Sequence, residues 1–370
     1  MTHVSDVQSS IGKGCTVLGI IGASDKTPLT IGTGNKEMHP VLLSLTNILA
    51  GVQMKATACA FALTAYVPIP HWLNVSKEVA AILTARLYHV CIDIITETLK
   101  KAEKDGAYLS DPMGNRRICH TPLVSWICDL PEQRMQACVL SNQSPVTLAT
   151  LEQFGDKYPK PPRTRTRTLA LITQACTKTD PAMIPQFAKT CQALGLNGVH
   201  QPFWRNWGNA CPSQFLTPDA LHQLHKFFFD HVLKWVINIM GGDELDRRVS
   251  ALQPRVGVRH WKNGISKLKQ CTGREHREME KIIVTVAAGT VDRKEPKALP
   301  AIRAILNFIF QAQGLLLFDE HLHSIPEALY EFHDLKNAII LAGGRCGKNG
   351  LIGHFCIPKL EGMQWLVRNT

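Results

Sequence analysis

The chain has 370 residues, 45% hydrophobic and 19% charged, a globular composition that excludes a disordered chain and suggests roughly two to three domains. It contains no uninterrupted apolar run of about 18 residues, so no membrane span is expected. Lys and Arg number 41 against 30 Asp and Glu, a formal charge of +11 with a pI near 9.1; this favours a polyanionic partner, nucleic acid before an acidic membrane surface, although a basic soluble protein without such a partner carries the same excess.

Thr16–Ile21 is a short apolar run after a Gly-rich start, the pattern of a buried strand, and Asp25 follows it. Leu29–Thr33 and Val41–Leu45 are further strand candidates, with a turn at Gly32, Gly34, Asn35 and Lys36 between them. Ala56–Val67 ends at Pro68 and Pro70, as a strand running into a loop does. Ser76 is a suitable N-cap for a long helix with Glu78 in its first turn. In that helix Val79, Ile82, Leu83, Leu87, Val90, Ile94 and Ile95 fall at helical spacing, and Gly106 stops it. A loop over Ser110–Arg117 leads to a buried strand, Leu123–Cys128, which ends at Asp129. Pro131 then opens a helix over Glu132–Leu140.

Lys157–Arg167 holds five basic residues, three prolines and no acid, which reads as an exposed linker. Lys157, Lys160, Arg163, Arg165 and Arg167 are accordingly candidates for contacting a DNA backbone. Beyond it helices dominate. Thr217-Pro218-Asp219 is a helix start, with Thr217 as cap and Pro218 at the first position, and Gly241-Gly242 the stop. Gly273–Ala288, Ala298–Ala312 and Ile325–Leu341 follow. The expected organisation is an α/β core over 1–155, a basic Pro-rich linker over 156–170 and a helical domain over 171–370.

The element order is a strand ending at an Asp, two strands, a long helix, a second strand ending at an Asp, and a helix. This is the order of the RNase H-like fold, in which the first and fourth strands lie side by side. Asp25 and Asp129 would then meet across the sheet. Two carboxylates held together repel each other, and Mg2+ (or Mn2+) relieves this while serving phosphoryl transfer. Taken singly, an Asp after a strand is more simply a turn or cap residue.

Several blocks add a resemblance. Ser24-Asp25-Lys26-Thr27 with Gly34-Asn35-Lys36 and His39–Leu45 is similar to the N-terminal signature of Plavaka transposases, fungal relatives of the CACTA (EnSpm) group. Asp129–Gln133, Ser144–Thr147 and Phe154–Asp156 resemble the family's second-aspartate block. Later segments, Thr217–Lys226, Gly264–Ser266, Thr272–Glu275 and Phe355–Leu360, resemble blocks that follow in the same order. The resemblance implies a DDE-class nuclease and strand transferase, nuclear after cytoplasmic synthesis, acting on transposon ends and target DNA and compatible with a homo-oligomer. Asp25 and Asp129 are its first two metal ligands. The third, a Glu, is expected past the Ile357–Leu360 block. The chain runs only ten residues past Leu360, so the resemblance puts that Glu and the end of the catalytic domain outside it. It also leaves no room upstream for a zinc-binding module. Glu361 stands where the family usually has His. The alternative is a catalytically inactive, transposon-derived DNA-binding protein.

Other candidates have plainer readings. Asp219, His222 and His225 share a helix face and could ligate a metal, but read better as a polar patch. Glu275 and Glu278, a less favoured source of a third carboxylate, sit in an ion-paired helix face. Gly343–Lys348 lacks the spacing of a phosphate-binding loop. The twelve cysteines form no C-x-x-C pair and the start carries no apolar signal core, which fits a reducing compartment, cytosol or nucleus.

Overall fold

The computed structural model describes residues 2–30, 34, 36–217, 219–314 and 318–369. The chain divides into two compact units, 1–150 with 160–218, and 151–159 with 219–370.

The first unit is mixed α/β. Helix α1 (Thr2–Ser10) leads into β1 (Cys15–Val17) and β2 (Ile20–Ser24). In β2, Ile20, Gly22 and Ser24 face the interior, the alternation of a strand with one buried side. The region read as a strand over Leu29–Thr33 instead lies between the two members of a small antiparallel pair, β3 (Thr27–Pro28) and β4 (Glu37–Met38), and its described residues Leu29 and Thr30 are not in a strand; Ile31, Gly32, Thr33 and Asn35 lie outside the described residues. Then come β5 (Pro40–Leu45), α2 (Ala50–Gln53), β6 (Ala62–Tyr66), α3 (Lys77–Ile95) and α4 (Glu97–Asp105). Next are β7 (Ala107–Ser110), β8 (Arg116–His120), β9 (Leu123–Ile127) and α5 (Leu130–Gln136). The unit closes with α6 (Arg165–Lys178), α7 (Ile184–Ala193), α8 (Pro212–Phe215) and β10 (Leu216–Thr217).

Its main sheet has five strands in the order β10-β9-β2-β5-β6. β5 runs antiparallel to both β2 and β6, whereas β9 is parallel to β2 and β10 parallel to β9. The sheet's first strand is therefore central, its second and third lie on one side, and its fourth and fifth on the other. A smaller sheet joins β1, β8 and β7; the sequence reading has only a loop there.

Helix α3 starts where expected, with the Ser76 side chain accepting from Val79 N–H. Its buried face is Ile82, Ala85, Tyr88, His89 and Ile92, while Val90 (50% exposed) and Ile94 (68%) face outward. Two polar residues thus displace part of the apolar stripe from the interior. At Thr96 the hydroxyl donates back to Ile92 O (2.7 Å), and α4 departs at 53°. Among the described residues no single helix is long and apolar enough to cross a membrane.

The unit boundary departs from the one expected over 156–170. Residues 160–218 belong with the sheet because they supply its largest buried side chains: Trp204 donates to Gln136 O (2.7 Å), Trp207 to Thr121 O (3.1 Å), and Phe203 packs on Trp126 (5.2 Å between centroids).

The second unit is helical apart from the hairpin of β11 (Cys346–Gly347) and β12 (Gly350–Leu351). Asp219, rather than Thr217, caps its first helical stretch by accepting from His222 N–H; Pro218 lies outside the described residues. Ala220–His225 and Phe228–Val232 are wound as wide π turns, continued by α9 (Leu233–Met240) up to Gly241. The other helices are α10 (Gly242–Ser250), α11 (Gly273–Ala287), α12 (Val291–Lys294), α13 (Ala298–Gln311), α14 (Asp319–Leu335), α15 (Asn337–Leu341) and α16 (Pro358–Asn369). They enclose one apolar core that includes Phe227, Trp235, Met279, Ile305, Phe332 and Leu360.

Candidate functional site

The two aspartates sit at the same end of the main sheet, on adjacent parallel strands. The last paired couple of β2 and β9 is Ala23 with Ile127. Asp25 and Asp129 each follow that couple by two residues, so the parallel register carries them out of the sheet level with one another. Asp25 is exposed and Asp129 half-buried. Asp129 is also the N-cap of α5: its Oδ1 accepts from Glu132 N–H (2.9 Å). The cap fixes one carboxylate at the strand end.

A buried polar cluster, absent from the sequence reading, underlies the two strand ends. Glu132 is 7% exposed. Its Oε1 accepts from Tyr88 OH (2.8 Å), from Gln136 Nε2 (3.3 Å) and from Ser24 Oγ by a very short bond; its Oε2 meets His39 Nε2 (2.9 Å). Trp126 Nε1 donates to Ser24 Oγ (2.7 Å), and the His39 ring stacks on Tyr88 (5.4 Å). Burial first, and then the Glu132 carboxylate, push the Tyr88 phenol well above its ordinary pKa, so it remains a donor. The sequence hint was Asp129-x-x-Glu132, which looks like a surface capping box; the glutamate turns inward instead.

The family model described as Plavaka transposase matches residues 2–236. The chain belongs to the Plavaka transposase family. The match takes in nearly all of the sheet-bearing unit and continues to Val236. No curated protein matches the chain. Family membership makes the chain transposase-like and points to DNA as its partner.

The basic run of this Plavaka chain is not a uniform exposed strip. Lys157 bonds both oxygens of Asp334 (2.6 and 2.7 Å) and lies over Tyr158 and Tyr330. Arg163 is 4% exposed, its Nε donating to Ser144 O (2.8 Å) while its backbone N–H bonds Val146 O. Arg165 opens α6, capped by Thr164, and donates to Arg205 O (2.6 Å). Lys160 is half-buried, and Arg167 is exposed on the first turn of α6. Pro161 and Pro162 are pinned by Leu148 N–H to Pro161 O and by a bridge of Pro162 to Thr147.

The remaining candidates have separate partners. His222 pairs with Asp219 (3.1 Å), whereas His225 pairs with buried Glu280 (2.8 Å). Glu275 closes a capping box with Thr272 and pairs with Arg259; Glu278 pairs with Lys281. Among the described residues no group of three or more His, Cys, Asp or Glu is placed to hold a metal ion.

Proposed function

We propose that the sheet-bearing unit is an RNase H-like core of a DDE-class polynucleotidyl transferase acting on DNA. In this reading Asp25 and Asp129 are two of its ligands for Mg2+ (or Mn2+). The observation that carries the reading is the common offset of both aspartates beyond the Ala23–Ile127 couple of β2 and β9. The central first strand, the antiparallel second and third, and the parallel fourth and fifth strands support the RNase H-like assignment.

The donor set fits a hard cation. Both groups are short carboxylates that follow strand ends, and carboxylate oxygens are the usual protein ligands of Mg2+. A bound ion would supply a nucleophilic water or 3′-hydroxyl and charge relief at the leaving oxygen. The chain's own part is positional: Asp129 is held by its cap bond to α5, and Asp25, an exposed residue, follows β2 at the same offset from the Ala23–Ile127 couple. DNA is held by surface cations, and within the basic run Arg167 is the one exposed on the first turn of α6. The setting is the nucleus, where the DNA is.

The second reading, a DNA-binding protein that does not cut, rests on the basic excess of +11 and the family membership, which call for a DNA partner without calling for cleavage. Calorimetric titration of the full chain with Mn2+ tests the first reading, with Asp25→Asn and Asp129→Asn as controls. Asn preserves the cap at 129 but removes the charge. Binding that either change abolishes supports the metal pair; equal affinity in all three proteins refutes it. Salt-sensitive DNA binding without nicking in Mn2+ supports the second.

A further inference from the structure

We infer that Glu132 is a positioning residue that clamps the Asp25 and Asp129 strand ends at a common level. This rests on the proposed reading of the two aspartates as metal ligands.

The contacts of Glu132 reach both aspartates through the chain itself. Ser24, whose hydroxyl donates to Oε1, immediately precedes Asp25. The backbone N–H of Glu132 is the group that Asp129 caps. One residue therefore grips the neighbour of one aspartate with its side chain and the carboxylate of the other with its main chain. Two further donors converge on the same carboxylate from elsewhere in the chain, Tyr88 from α3 and His39 from the residue just before β5. Both hydroxyls on Oε1 are themselves fixed from behind: Trp126 of β9 donates to Ser24 (2.7 Å), and Gln136 of α5 to Tyr88 (2.8 Å). Ser24, Tyr88 and Gln136 all donate to Oε1, so the hydroxyl protons have one consistent orientation.

Packing alone does not call for this arrangement. A buried carboxylate loses its hydration, and an apolar side chain of similar volume commonly stabilises a core as well or better. What the carboxylate adds is direction: it accepts from β2, the residue just before β5, α3 and α5 at once, and so sets the strand ends and the capped helix relative to each other. Such supporting contacts around metal ligands typically change metal affinity 10–100-fold.

The test uses the full chain with Glu132→Gln, which is nearly isosteric and replaces one acceptor by a donor. Ser24→Ala is the second variant, which removes one link and leaves Glu132 in place should the first not fold. Backbone amide exchange is followed over residues 22–27 and 127–133, alongside Mn2+ titration and thermal melts. The expected result is faster exchange at both strand ends together, Mn2+ affinity weaker by roughly tenfold or more, and other segments unchanged. Unchanged exchange, or a change confined to 127–133, overturns the clamp. Faster exchange at both ends with wild-type Mn2+ affinity overturns the positioning role and leaves a packing role. If the unaltered chain takes up no Mn2+, the metal reading falls, and the exchange data still decide whether Glu132 ties the two ends.

Discussion

At the scale of single residues, the site depends on close approaches that tolerate little change. Gly22 lies opposite Trp126 in the β2–β9 register, and a Cβ there would sit 2.4 Å from the indole Cε3. Gly22→Ala is expected to destabilise the chain by about 1–3 kcal/mol through overpacking, read as a lower midpoint in denaturant; an unchanged midpoint would contradict the packing described. Asp129 has two jobs, and they separate by substitution. Asp129→Ala should cost about 1 kcal/mol of stability through the lost cap, which Asp129→Asn retains, so chemical denaturation of the two variants should differ by that amount. Arg163 was legible only as one more cation in a basic run. Its burial against Ser144 O has no local signature, because the partner lies across an irregular segment nineteen residues away. Glu132 was illegible for the same reason: its partners Ser24, Tyr88 and His39 lie 108, 44 and 93 residues off in sequence.

At the scale of elements, the strand over Leu123–Cys128 that leads to Asp129 could be read directly, and so could the start of α3 at Ser76, whereas the run Thr16–Ile21 is divided between β1 and β2, which belong to different sheets. The buried face of α3 could not. Apolar spacing selects Val90 and Ile94, whereas the interior takes Tyr88 and His89, because each has a polar partner waiting there. The β7–β8 hairpin also escaped, since β7 is largely exposed and shows no alternation. His89 makes the helix pH-sensitive. Its Nδ1 accepts from Phe203 N–H (3.1 Å) and its Nε2 faces Met135 O (3.0 Å), an arrangement that requires the neutral ring. Burial lowers its pKa from 6.5 to about 4. The unfolded chain therefore binds this proton at higher pH than the folded one. Stability is full above about 6.5 and falls as the pH drops toward 4, by on the order of 3 kcal/mol from this group. In the helical unit, burial likewise lowers His231 to about 4 and His333 to about 3. Thermal melts between about pH 7.5 and 5 should show a steady loss of midpoint on acidification; a flat profile would contradict the buried neutral rings.

At the scale of the whole molecule, a charge of +11 and a transposase family membership together make DNA binding the expected behaviour. Binding to duplex DNA should weaken linearly on a log–log plot against salt, and Arg167→Ala should flatten the slope by about 0.9, the value of one phosphate contact. Arg163→Ala should leave the slope alone and instead destabilise the fold, because its guanidinium is already committed to a carbonyl. Fluorescence anisotropy across a salt series separates the two. The proposed divalent-metal site pairs Asp25 with Asp129 just beyond the adjacent parallel strands β2 and β9. A crystal of the full chain soaked in Mn2+ and measured at the manganese edge tests it most directly. An anomalous peak is expected at coordination distance, about 2.0–2.3 Å, from one oxygen of each aspartate. A peak elsewhere, or none between these two carboxylates at saturating Mn2+, would contradict it.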